Sequence, residues 1–113
     1  MSEKLIISVL CHNPTIAIMV SRIARNIQSE SETHNHFNPQ KYDFLEINQS
    51  DLIVIQINQS NNEIIDIINK IEDKSKVILV SKEHILNPTF DSVECVFGNM
   101  KKLFKMIQMK LGG

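Results

Sequence analysis

The sequence predicts an α/β domain in which a parallel β-sheet is covered by helices on both faces. Two observations carry that expectation. The short aliphatic runs "KLIISVL" (4–10), "DLIVIQI" (51–57) and "KVILVS" (76–81) are apolar on successive residues, as strands buried on both faces require. Between them the apolar residues switch to helical spacing, at Ile16, Met19, Val20, Ile23 and Ile27 and again at Ile64, Ile67, Ile68 and Ile71. Strands that alternate with helices in this way are joined by right-handed crossovers.

The first strand ends at "CHNP". Asn13 supplies an N-cap and Pro14 a preorganised first helical residue, so the helix starts there, with Arg22, Arg25 and Gln28 off its apolar stripe. The segment 29–50, "SESETHNHFNPQKYDFLEINQS", is the hardest to read. "THNHF" is a short second strand and "PQKYDFLEI" a helix opened by Asn38 and Pro39. After the third strand, "NQSNN" (58–62) provides a loop and a cap for the next helix.

About ten residues separate the fourth strand from "VECVFG" (93–98), and Asn87-Pro88 among them favours a turn, so the helix expected there is short or missing. In the closing "NMKKLFKMIQMKL", Met100, Leu103, Phe104, Ile107 and Leu111 face inward, while Lys101, Lys102, Lys105 and Lys110 stay in water. The resulting architecture is a flavodoxin-like three-layer sandwich with a five-stranded parallel sheet in the order 2-1-3-4-5.

The 113 residues fit a single domain, 1–113, able to bury a core without disulfides or metals. Twelve Lys and Arg against thirteen Asp and Glu leave no field strong enough to gather nucleic acid or an anionic membrane. The apolar start "KLIISVL" is too short for a secretory signal or a span, which argues for a cytoplasmic protein. Cys11 and Cys95 lie in apolar, strand-like surroundings and read as reduced, buried thiols.

In an open sheet of this order, ligands bind outside the carboxyl ends of the strands near the switch in strand order. The residues at those ends are Cys11, His12, Gln56 and Ser81. Around these residues the sequence resembles the receiver domains of two-component response regulators. "VLCHNPTIAIMVSRI" is similar to the receiver opening, with Cys11 and His12 where that family carries an acidic pair. "SDLIVIQIN" resembles the third receiver strand, with Gln56 where the phosphoaccepting aspartate falls, and "KVILVS" resembles the fourth, with Ser81 at the small hydroxyl position.

The departures carry the functional expectation. A receiver holds Mg²⁺ with carboxylates and accepts a phosphoryl group on aspartate. Cys11, His12 and Gln56 replace all three acidic residues, and the family lysine after the fifth strand has no clear match, since Lys101 and Lys102 fall late. The resemblance therefore implies a degenerate receiver, a pseudo-receiver, acting by protein–protein contact, with no cofactor, no metal and no catalytic residue. Its dimer or effector surface would comprise roughly residues 83–111, a surface the short fourth helix alters.

Other readings of the same residues stay open. Cys11, before a helix N-terminus and beside His12, has the setting of a nucleophile, although adjacent strand residues point to opposite faces and a buried thiol is usually inert. The chain also resembles cysteine-type IIB components of the sugar phosphotransferase system, which place a transiently phosphorylated cysteine after the first strand; that resemblance implies Cys11 as a phosphocysteine. Against it, "CHNPT" has no glycine to close backbone amides around an anion. Cys11, His12, His34, His36 and Cys95 are types that bind zinc, with His34 and His36 on one side of a strand, but their spacing matches no standard site.

Overall fold

The computed structural model describes residues 4–11, 14–38, 41–57, 62–81, 94–97 and 100–111. Within them the strands β1 (Leu5–Leu10), β2 (Ser31–His36), β3 (Leu52–Ile57) and β4 (Val77–Ser81) alternate with helices α1 (Pro14–Ile27), α2 (Phe44–Asn48) and α3 (Asn62–Asn69), and β5 (Glu94–Phe97) is followed by α4 (Met100–Lys110). The strands form one sheet in the order β2-β1-β3-β4-β5, every pair parallel. This is the flavodoxin-like order expected from the alternation. The short or missing helix between the fourth and fifth strands falls at 82–93, outside the described residues.

Strict alternation along the central strands builds two apolar layers. Leu5, Ile7 and Val9 of β1, Leu52 and Val54 of β3, and Ile78 and Val80 of β4 face α1 and α4, meeting Ile16, Val20, Ile23, Leu103 and Ile107. Leu10, Ile53, Ile55, Val77 and Leu79 face the other way, against Ile47 of α2 and Ile67, Ile68 and Ile71 around α3. Each such fully buried aliphatic side chain contributes about 1.5–3 kcal/mol relative to exposure. Double-sided burial explains why β1, β3 and β4 read as unbroken apolar runs.

The second strand differs because it is the sheet edge. Its six residues, "SETHNH", are all half-buried or exposed, so no apolar run marks it. It begins at Ser31, two residues before the expected "THNHF". The helix after it also begins later than Asn38 and Pro39 predict. Asp43 is its N-cap, accepting from the Leu45 and Glu46 N–H groups at 3.1 and 3.3 Å, so Phe44 is the first helical residue.

A second departure concerns α4. Lys101, Lys102 and Lys105 are exposed as expected, but Lys110 is half-buried and donates to the Ser75 carbonyl at 2.5 Å, joining α4 to the turn at Lys74–Lys76 that leads into β4. That turn is itself capped by Asp73, which accepts from the Ser75 N–H and hydroxyl. Among the described residues, no helix is long and apolar enough to cross a membrane.

Candidate functional site

The carboxyl ends of β1 and β3 bring two of the sequence-selected residues together. Leu10 is in register with Ile55, and Cys11 and Gln56 are the next residues along the two strands. Cys11 continues the β1 series Leu5, Ile7 and Val9 in the layer beneath α1 and α4. Gln56 continues the β3 series Leu52 and Val54, so the two positions share one face of the sheet. Val80 of β4 flanks Gln56 on its other side.

Neither residue reaches solvent. Cys11 is 1% exposed and Gln56 5%. The backbone N–H of Cys11 donates to the His36 carbonyl at 3.1 Å, which extends the β1–β2 ladder by one residue and fixes where the chain turns toward α1. Burial pushes the Cys11 thiol pKa up, and a smaller opposing pull comes from the Ala17 backbone amide in α1. A thiol held protonated is a weak nucleophile and a weak metal ligand. The Gln56 carboxamide is neutral at every pH and brings no anionic oxygen to the strand ends.

His12 lies outside the described residues. Ser81 ends β4 in register with Ile57 and Phe97, and its side chain lies outside what is described. Lys101 and Lys102 sit in the first turn of α4, exposed to solvent.

Among the described zinc-type side chains, the sheet separates His34 and His36 from Cys11. His34 and His36 pair in register with Ser8 and Leu10, on the face toward α2 and α3, whereas Cys11 lies on the face toward α1 and α4. His34 is instead engaged by two carboxylates. Its Nδ1 lies 2.5 Å from Glu46 Oε1 on α2 and its Nε2 2.8 Å from Glu32 Oε1 on its own strand. The Glu32 hydrogen bond, then the Glu46 one, raise the His34 pKa against a desolvation that lowers it. Lys4 meets the other Glu32 oxygen at 2.7 Å, and Lys4 and His34 together lower the Glu32 pKa.

His36 has the opposite setting. Burial lowers its pKa, its Nε2 is buried without a hydrogen-bond partner among the described residues, and its ring stands edge-on to Tyr42 at 6.0 Å. Among the described residues, no group of three or more His, Cys, Asp or Glu side chains gathers as a metal ion would need.

A further feature escaped the sequence reading. On the α1 side of the edge strand, a groove of about 430 Å³ runs between α1 and β2, lined by Ile18, Ser21, Arg22 and Arg25 on the helix and by Thr33 and Asn35 on the strand. Its signal in the sequence was the pair of arginines three residues apart on α1, which places both on one helix face. The strand expected at 33–37 carried no register in the sequence, so nothing placed its residues opposite the two arginines to form a groove.

No family model matches this chain, and no curated protein matches it in sequence. Among solved structures it is similar to the signal receiver domain of a DNA-binding response regulator protein (merR) from Colwellia psychrerythraea 34H. The two share 15% sequence identity with a TM-score of 0.71, over 97% of this chain and 100% of that one. The fold of this chain is therefore that of a receiver domain.

Proposed function

We propose that this chain is a degenerate receiver-like signalling domain, one domain over residues 1–113, that regulates by contact with a second copy of itself or another protein and carries no phosphorylation switch. The observation that supports this most directly is the pairing of Cys11 with Gln56 on one face at the ends of β1 and β3. By the resemblance of the sequence to receiver domains, these correspond to positions where that family carries acidic residues for magnesium and phosphoryl transfer. Here they hold a buried thiol with a raised pKa and a buried neutral amide.

Magnesium demands hard oxygen ligands, usually carboxylates, and retains several waters. Cys11 and Gln56 do not fit that requirement, and His12 adds by its chemistry only a nitrogen ligand. No phosphoryl step is therefore assigned to this corner of the fold. In this reading the protein is not an enzyme and works in the cytoplasm, and the β5–α4 side within residues 83–111 is a contact surface. The exposed Lys101, Lys102, Lys105 and Met109 of α4 belong to it.

The experiment is incubation with acetyl phosphate and Mg²⁺, followed by intact-mass measurement. The expected result is an unchanged mass for the native chain and for Gln56→Asp, because one aspartate does not supply the missing magnesium ligands. A stoichiometric phosphoryl adduct on the native chain overturns the reading. A phosphocysteine carrier would need an accessible thiolate at Cys11, and the burial of that residue speaks against it. Phosphoryl transfer from a phosphorylated IIA protein that is lost in Cys11→Ser would restore that alternative.

A further inference from the structure

We infer that the outer edge of β2 is a docking site for an acidic, extended segment of a partner protein, which adds as a sixth strand and lays alternate side chains into the groove between α1 and β2. The inference is independent of the phosphorylation chemistry at Cys11 and Gln56.

The backbone supplies the first element. The Leu5 N–H donates to the Glu30 carbonyl and the Cys11 N–H to the His36 carbonyl, so the even-numbered residues of β2 bond inward to β1. In a parallel ladder the intervening residues turn their N–H and C=O outward. Ser31, Thr33 and Asn35 therefore present a row of backbone donors and acceptors at the sheet edge, and none of these has a partner among the described residues. An open row of this kind is the template for strand addition, in which main-chain hydrogen bonds give affinity and pockets for alternate side chains give specificity.

Charge supplies the second element and selects the occupant. The same three residues turn toward α1, where Arg22 and Arg25 are exposed and have no ion-pair partner among the described residues. Glu32 is the one acidic residue at the groove, and its carboxylate is taken up by Lys4 and His34. A strand laid along β2 turns every second side chain toward α1, so acidic residues at alternate positions meet the two guanidinium groups. Half-exposed Ile18 offers apolar contact at the same helix face.

The probe is a fluorescein-labelled octapeptide of alternating glutamate and valine, titrated against the native chain by anisotropy. Saturable binding is expected, weakened at least tenfold by Arg22→Glu combined with Arg25→Glu, with the variant's folding checked by circular dichroism. Two further peptides carry N-methyl groups on all the valines or on all the glutamates, which blocks one strand edge each. One of the two is expected to lose binding at least tenfold and the other to retain it.

Absence of saturable binding to the native chain overturns the inference. So does equal loss, or no loss, in both N-methylated peptides, since that outcome excludes ladder formation. Equal affinity for a single-stranded oligonucleotide of the same charge, or displacement by inorganic phosphate at similar concentration, also overturns it and leaves only a basic patch.

Discussion

Glu46 on α2 and His34 on β2 meet at 2.5 Å between Oε1 and Nδ1, tying the open edge of the sheet to the helix beside it. Because the Glu32 hydrogen bond first, and this Glu46 contact after it, raise the folded-state pKa of His34, their stabilisation is fully present below the ordinary histidine value of 6.5 and is lost as pH rises through the higher folded value. The carboxylates are half-exposed, so the loss is below about 1 kcal/mol. Urea unfolding at intervals between about pH 5 and 8 should show stability falling on the alkaline side, and His34→Gln should flatten that limb. An unchanged alkaline limb in His34→Gln would show that the Glu32 and Glu46 contacts of His34 contribute nothing.

His36 acts in the opposite direction. Burial depresses its folded pKa, so its contribution is present above 6.5 and is lost as pH falls toward the lower folded value. The two histidines together therefore place a stability maximum near 6.5. His36→Phe keeps an aromatic ring against Tyr42 and removes a buried nitrogen that has no partner among the described residues. We expect it to match or exceed the native stability at neutral pH and to remove the histidine part of the acid limb. A net loss of stability at neutral pH would mean that Nε2 is satisfied after all.

Ser8 on β1 and Ser50 before β3 are both fully buried and share a 2.5 Å hydrogen bond beneath α2. The pair is asymmetric, because the Ser50 hydroxyl also reaches the Glu46 carbonyl at 3.4 Å. Ser50→Ala should cost about 1–3 kcal/mol by stranding the Ser8 hydroxyl. Ser8→Ala should cost less, since Ser50 keeps a partner. In denaturant unfolding the double variant should be no worse than Ser50→Ala alone, whereas simple additivity would rule out coupling through this bond.

How much of this was legible in the sequence follows from where each element sits. The strands β1, β3 and β4 were readable because both of their faces are apolar, and α1 because its stripe follows a proline start. The edge strand was legible only as the short run 33–37, with its start at Ser31 missed, because one face carries His34 and His36, the other faces a polar groove, and no periodic apolar signal survives. The start of α2 was misplaced for a related reason. Asn38-Pro39 is a strong local helix-opening signal, yet Asp43 performs the capping, a choice set by how Tyr42 and Phe44 pack against the Ile47 layer. At the strand ends, the identity of the residues was visible, but the shared face of Cys11 and Gln56 depended on a register that only the structure supplies.

The Asp43 cap also controls the carboxylate that reaches His34. Asp43→Ala removes the acceptor for the Leu45 and Glu46 N–H groups, which should cost about 1 kcal/mol. Because α2 has only five residues, loosening its first turn should also displace Glu46. NMR titration of His34 should therefore show its pKa falling back toward 6.5 in Asp43→Ala, with Glu32 retaining part of the elevation. If the His34 titration is unmoved while stability drops, the cap and the ion pair are independent.

Burial of Cys11 determines how its thiol reacts. A core thiol with a raised pKa exposes little thiolate, and the thiolate is the reactive species. In a Cys95→Ser background, so that a single thiol is counted, labelling by a disulfide reagent at about pH 8 should be orders of magnitude slower than for free cysteine at its ordinary pKa of about 8.5. Added urea should accelerate it in step with unfolding, because the label then reports the open population. Cys11→Ala should remain folded at a modest cost. Cys11→Asp should be strongly destabilised at neutral pH, because it forces a carboxylate into the apolar layer beneath α1 and α4. Fast labelling of the folded chain, or a Cys11→Asp variant as stable as the native one, would show that the end of β1 is an open and polar site. The case for a filled, inactive corner at Cys11 and Gln56 would then fall.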